Sequence, residues 1–231
     1  MRILAIDTSS KVLGVAILDE AGGEFEFNYS FELRHASHLI PTIKNVLGFA
    51  QLDLGDIDAY CVSIGPGSFT GLRIGVATVK ALAAVDKKKV VAVPSLDVLA
   101  CNIYDAKKTI CVLVDAKKEK LYSAFYAYKS EKLRRVSKDL LIGYDDLLEK
   151  IGKYKNGVLL IGDGIEKLRT QNPGPRTQKE KMRFVAKEFW HPRAINVARI
   201  GLGMLKEERF VKDVDALVPE YMFPRDVQCK K

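Results

Sequence analysis

The chain has 231 residues, 48% of them apolar, with four cysteines and a formal net charge of +8. That is enough apolar material for one large or two smaller globular domains, and no uncharged apolar run reaches the roughly 18 residues a membrane helix needs. Cys61, Cys101, Cys111 and Cys229 show no CxxC spacing, so neither a zinc site nor a disulfide framework is indicated. The net charge favours an acidic partner, of which nucleic acid is the commonest, although solvated lysine faces give the same total.

In chain order, residues 3–6 (ILAI) and 12–18 (VLGVAIL) flank the polar turn DTSSK and predict a β-hairpin. Asp7 stands where a signal peptide would have its apolar centre, so a cytoplasmic protein is expected. A third strand is expected over residues 24–33, where Phe25, Phe27, Tyr29 and Phe31 alternate with polar neighbours. Over residues 36–51, Leu39, Ile40, Ile43, Val46, Leu47 and Ala50 recur at three and four residues and predict a helix with one apolar stripe. Residues 59–64 (AYCVSI) read as a buried strand, SIGPGSFTGLRIG as a glycine-rich turn into a helix over 69–85, and residues 90–93 as a further strand. The order is β-β-β-α-β-α-β.

The same order then begins again. ILAIDTSSKVLGVAIL is echoed by ICVLVDAKKEKLYSAFYAY around Asp115, and CVSIGPG by VLLIGDG at 158–164, which suggests a duplicated unit with halves meeting near residue 105. Two domains follow, 1–105 and 106–231. The second includes a polar loop over residues 171–181 and ends in an amphipathic helix over 193–208 and a short tail.

Several residues are candidates for chemistry. The turn at Gly65, Gly67 and Ser68 aims a helix N-terminus at one spot, as an anion site does, but it lacks the Gly-Lys-Ser/Thr of a P-loop and the dinucleotide GxGxxG spacing. Its plain role is a tight turn with Ser68 as helix cap. A nucleophile elbow fits less well, because GxSxG is absent and no pattern assigns His35, His38 or His191 as base to Ser68. Asp7 can position a metal and phosphate or merely bond turn amides. His35 and His38 have HxxH spacing with no acid or cysteine to complete a metal set, so no metal site is assigned. The helix over 69–85 is small or apolar on nearly every face, so it is covered either by the second half of the chain or by a partner.

MRILAIDTSS, HASHLIPTI and SIGPGSFTGLRIGVATVKALA together resemble the TsaB family of bacterial tRNA threonylcarbamoyladenosine biosynthesis proteins, glycoprotease-like relatives of the catalytic protein TsaD. The resemblance runs in order over the first 100 residues, and after residue 105 it rests on VDAKKEKLYSAFY, IGDG and PEYMFPRD, where the family more often has PxYLR. It implies an α/β fold of duplicated βββαβα lobes, that of the acetate and sugar kinases, heat-shock chaperones and actin ATPases, which is ribonuclease H-like. TsaD-like proteins carry two metal-binding histidines after the strand matched by VVAV, where this chain has PSLDVLA. They carry a Ser-Gly-Gly phosphate turn where this chain has Asp115, Ala116 and Lys117, and an acid where it has Lys11.

The resemblance therefore implies a subunit with no catalytic residue of its own. It implies pairing with TsaD through the helices at 36–51 and 69–85, with Leu39, Ile43, Leu47, Arg73, Ile74, Ala77 and Ala81 at the contact. The ATPase TsaE joins the pair, tRNA is reached indirectly, no membrane is involved, and the chain alone forms a homodimer through the same patch. No cofactor is required, and Asp7, Gly65, Gly67 and Ser68 leave room for a residual nucleotide or phosphate contact. The alternative is an ATP-dependent phosphotransferase of the same fold.

Overall fold

The computed structural model describes residues 1–30, 35–171 and 181–222. Two compact units divide them, one built on Met1–Val98 with Pro192–Glu220 and the other on Leu99–His191.

In the first unit, strands β1 (Arg2–Asp7), β2 (Val12–Asp19) and β3 (Glu24–Ser30) lead to helix α1 (His35–Ala50), strand β4 (Ala59–Gly65), helix α2 (Phe69–Asp86), strand β5 (Lys89–Pro94) and the short helix α3 (Ser95–Ala100). The sheet order is β3-β2-β1-β4-β5, with β1 antiparallel to β2 and parallel to β4. The third strand is described over Glu24–Ser30, and Phe31 and Leu33, expected to extend it, lie outside the described residues. β1 is apolar on both faces because both are covered. Leu4 and Ile6 pack with Leu39, Ile43 and Val46 of α1 and Val76, Val79 and Ala83 of α2. Ile3 and Ala5 face the other way, into a cluster with Ala194, Ile195, Val197 and Ala198.

Those last four residues belong to the C-terminal helix, which corrects the expected division at residue 105. That helix (Ala194–Lys206, here α6) completes the first unit and not the second. The reason is steric and electrostatic. A Cβ at Gly201 would fall well inside contact distance of the Cys61 sulfur, so the glycine lets the helix lie flat on β4. Glu26 of β3 accepts from the Ile195 amide at 3.0 Å and from Arg193 Nε at 3.0 Å, and Arg199 reaches Glu24 at 2.8 Å.

The second unit repeats the plan. Strands β6 (Thr109–Asp115), β7 (Lys120–Lys129), β8 (Lys132–Arg135) and β9 (Leu140–Gly143) precede helix α4 (Tyr144–Gly152). Strand β10 (Val158–Ile161), helix α5 (Gly164–Gln171) and strand β11 (Met182–Phe184) follow. The order β11-β10-β6-β7-β8 is that of the first sheet read from the other end, with β9 added beside β7. The repeat read from the sequence is therefore a repeat of topology, and the fold is the expected one of duplicated βββαβα lobes. The loop at 171–181 falls almost wholly outside the described residues. Among the described residues no helix is long and apolar enough to cross a membrane.

Candidate functional site

In the first unit, the β1–β2 turn and the glycine loop after β4 form one interlocked piece. Asp7, at the end of β1, is fully buried. Its Oδ1 accepts from the Ser9 amide at 3.0 Å and the Ser9 hydroxyl at 2.9 Å, and its Oδ2 accepts from the Ser63 hydroxyl. Burial raises its pKa above the ordinary carboxylate range, and the Ser63 and Ser9 bonds offset only part of that. Of the two roles left open for Asp7, the bonding of turn donors is the one observed.

Three of the loop's donors are likewise taken from within. Gly65 N donates to Ser95 Oγ at 3.0 Å, Ser68 N to the Ser9 carbonyl at 2.7 Å, and Gly71 N to Ser68 Oγ at 3.2 Å, the expected helix cap. The glycines are there for contact. A Cβ at Gly67 or Gly71 would collide with the carbonyl oxygens of Ser9 or Thr8, and one at Gly75 with the Thr8 hydroxyl. The β1–β2 turn therefore packs against the glycine side of this loop, while Ser68, Phe69 and Thr70 at the helix N-terminus are exposed.

The second unit keeps the backbone of such a site but changes its chemistry. Gly162 after β10 has φ +116°, matching Gly65 at +118°. Between β6 and β7, Lys117, Lys118 and Glu119 have φ of 62°, 49° and 58°, a left-handed run where glycine is the unstrained choice. Lys117 donates from its amide at 2.8 Å and its ammonium at 2.7 Å to the Asp115 carboxylate. Burial alone would raise the pKa of Asp115, but these bonds outweigh it and hold the carboxyl below its usual range. Asp163 accepts from the Asp115 amide at 3.0 Å and is pushed up by burial. Among the described residues, no group of three His, Cys, Asp or Glu side chains is placed to hold a metal. His35 is buried and its Nε2 lies 2.8 Å from the Ser10 carbonyl.

The two helices divide the proposed contact residues. Arg73, Ala77 and Ala81 recur every fourth residue along α2 and are all exposed, while Leu47 and Ile74 are half-buried at the flanks. Leu39 and Ile43 are a correction, for they are 1% and 4% exposed and point into the core against β1 and β2. With Val46 they form the inward column of α1, and so cannot meet a partner. The outward surface is instead marked by Ile40 and Phe49 on α1 and by Phe69 and Val85 on α2, which are 47%, 69%, 41% and 86% exposed. Arg73 stacks over the Phe69 ring at 3.9 Å from its centroid. Lys80, the other basic residue on α2, donates to the carbonyls of Asp215 and Leu217 and so fastens the C-terminal tail to the helix.

Comparison with known proteins agrees with this architecture. A family model described as TsaD, tRNA N6-adenosine threonylcarbamoyltransferase, matches residues 31–221. A TsaB tRNA threonylcarbamoyladenosine biosynthesis protein from Bacillus subtilis is 30% identical over 231 residues, covering all of this chain and 97% of that one. The TsaB of Escherichia coli is 33% identical over 131 residues, 54% of this chain and 55% of that one. Among solved structures, YeaZ from Pseudomonas aeruginosa superposes with a TM-score of 0.82 at 23% identity, over 96% of this chain and 99% of that one, which establishes the shared fold.

Proposed function

Because the chain belongs to the TsaB family of tRNA threonylcarbamoyladenosine biosynthesis proteins, we propose that within that pathway it is a non-catalytic subunit supporting a TsaD-type catalytic subunit. Participation in the pathway follows from membership, and the division of labour is the reading argued here.

The observation that carries it is the interlocking of the glycine loop with the β1–β2 turn in the first unit. Its loop amides bond Ser9, Ser95 and Ser68, its glycines lie against Thr8 and Ser9, and Asp7 is buried beneath them. A phosphotransferase needs those donors free to meet a transferring phosphate. The subunit pairs with its catalytic partner through the outward face of α1 and α2, where Ala77 and Ala81 allow close helix approach and Ile40, Phe49 and Phe69 supply apolar area. TsaE joins the pair. The protein works in the cytoplasm without a cofactor of its own, and in isolation the same face closes a two-fold homodimer.

Reconstitution tests the reading. The chain alone should form no threonylcarbamoyladenosine on unmodified tRNA, and adding it to the TsaD and TsaE of the same organism should raise product formation. Calorimetry should find no tight ATP binding by the isolated chain; tight binding would sink the reading in favour of a phosphotransferase.

A further inference from the structure

The net charge is divided very unevenly. Residues 99–191, the body of the second unit, hold 20 Lys and Arg against 12 Asp and Glu, while the rest of the chain holds 17 of each. The net excess of +8 therefore falls within residues 99–191.

Within that unit, both edges of the sheet are basic but differ in kind. Along β8, Lys132 and Arg134 alternate with inward residues and are exposed, a pattern that needs no ligand, since charged side chains on an edge strand prevent edge-to-edge aggregation. Over β11 and the turn that follows it, Arg183 and Lys187, the latter paired with Glu166 at 2.6 Å, are interleaved with aromatic residues, and charge protection does not explain those. Phe184 and Phe189 are 38% and 43% exposed. The Arg169 guanidinium of α5 lies 4.3 Å from the Phe184 ring centroid.

The segment bearing these rings is held firmly. Val185 donates its amide to the Leu160 carbonyl at 3.0 Å, and buried Trp190 donates Nε1 to the Val185 carbonyl at 2.9 Å. Asn102 donates to the carbonyls of Phe189 and His191 at 2.8 and 2.7 Å. Exposed rings fixed on a rigid segment beside arginines suit a partner that has both flat faces and negative charge.

We propose that the α5–β11 edge of the second unit, centred on Arg169, Arg183, Phe184 and Phe189, binds RNA. The arginines meet phosphates and the rings stack on unpaired bases. An acidic protein would match the charge but leave the rings without flat partners, whereas an unpaired tRNA loop supplies both. The proposal rests on the reading of the chain as a subunit of a tRNA-modifying assembly, and it gives that subunit a direct substrate contact.

The test is fluorescence anisotropy of labelled unmodified tRNA titrated with the full chain at about 50 to about 200 mM salt. The wild type should bind with an affinity that falls steeply with salt. Arg169→Glu with Arg183→Glu should weaken binding at least about tenfold and flatten the slope of log affinity against log salt by about one to two. Phe184→Ala should weaken binding while leaving that slope unchanged, because stacking releases no counterions. Lys132→Glu with Arg134→Glu on the opposite edge should change affinity by no more than about threefold. Equal losses at the two edges, absence of tRNA binding by the wild type, or equally effective competition by polyglutamate would overturn the proposal. Pairing with the catalytic subunit, measured on the same Arg169→Glu/Arg183→Glu protein, should be unchanged. Loss of pairing in the wild type would instead count against the functional reading.

Discussion

The two units have one strand order and opposite surfaces. The first holds 14 Lys and Arg against 16 Asp and Glu, closes its glycine loop on its own β1–β2 turn and turns small apolar side chains outward from α2. The second carries the entire positive excess and keeps left-handed backbone at Lys117, Lys118 and Glu119 without the glycines that suit it. Topology survived duplication because each sheet still has to bury both faces. The surfaces were free to diverge, and they differ in charge and in the side chains they expose.

The sharpest way to break this comparison is at the interlocked loop. Gly71→Ala forces a Cβ against the Thr8 carbonyl, and neither backbone can retreat without disturbing β1. It should destabilise the chain by about 2–3 kcal/mol, read as a drop in unfolding midpoint. Gly203→Ala in α6, where a Cβ meets open space, should be neutral or stabilising by up to about 1 kcal/mol. Similar losses at both positions would show that the loop glycines are not there for contact.

A smaller effect is expected at Asp7. Its pKa is raised in the folded chain, so its contribution to stability is fully present below the unfolded value and is lost as pH rises through the folded one. Asp7→Asn can still accept from the Ser9 amide and engage Ser63 through its amide group. It should therefore remove that loss, leaving the chain at least as stable near neutral pH and flattening the fall in stability as pH rises above the ordinary carboxylate range. Thermal unfolding as pH rises checks it; a large loss of stability at neutral pH would mean that the charge itself is needed. The smallest effect belongs to the second unit. Lys118→Gly relieves left-handed strain and should raise stability by no more than about 1 kcal/mol, because glycine also gains freedom in the unfolded chain.

Much of the fold was legible from local pattern. The hairpin, both helices of the first unit, the Ser68 cap and the repeat all follow from periodicity and turn chemistry acting over a few residues. What escaped depends on distant contacts. The stripe on α1 spans two adjacent columns, Leu39–Ile43 and Ile40–Leu47, and periodicity does not say which one faces the sheet; only the core formed with β1 and β2 does. α6 follows the second unit in sequence yet covers the first, a docking written in Gly201 and Glu26, neither of which marks a partner by itself. The glycine loop read correctly as a tight turn, but that its glycines abut Thr8 and Ser9 lies in a contact across more than fifty residues of chain. The division of charge was present in the sequence and gained meaning only once the units were defined.

The most direct test of the central claim is co-purification with the TsaD of the same organism. Wild type and Arg169→Glu/Arg183→Glu should bring down the partner equally, whereas Ala77→Glu/Ala81→Glu, which sets two charges in the closest part of the helix contact, should not. Normal pairing by Ala77→Glu/Ala81→Glu, or loss of pairing by the second-unit variant, would contradict the assignment of partner binding to the first unit.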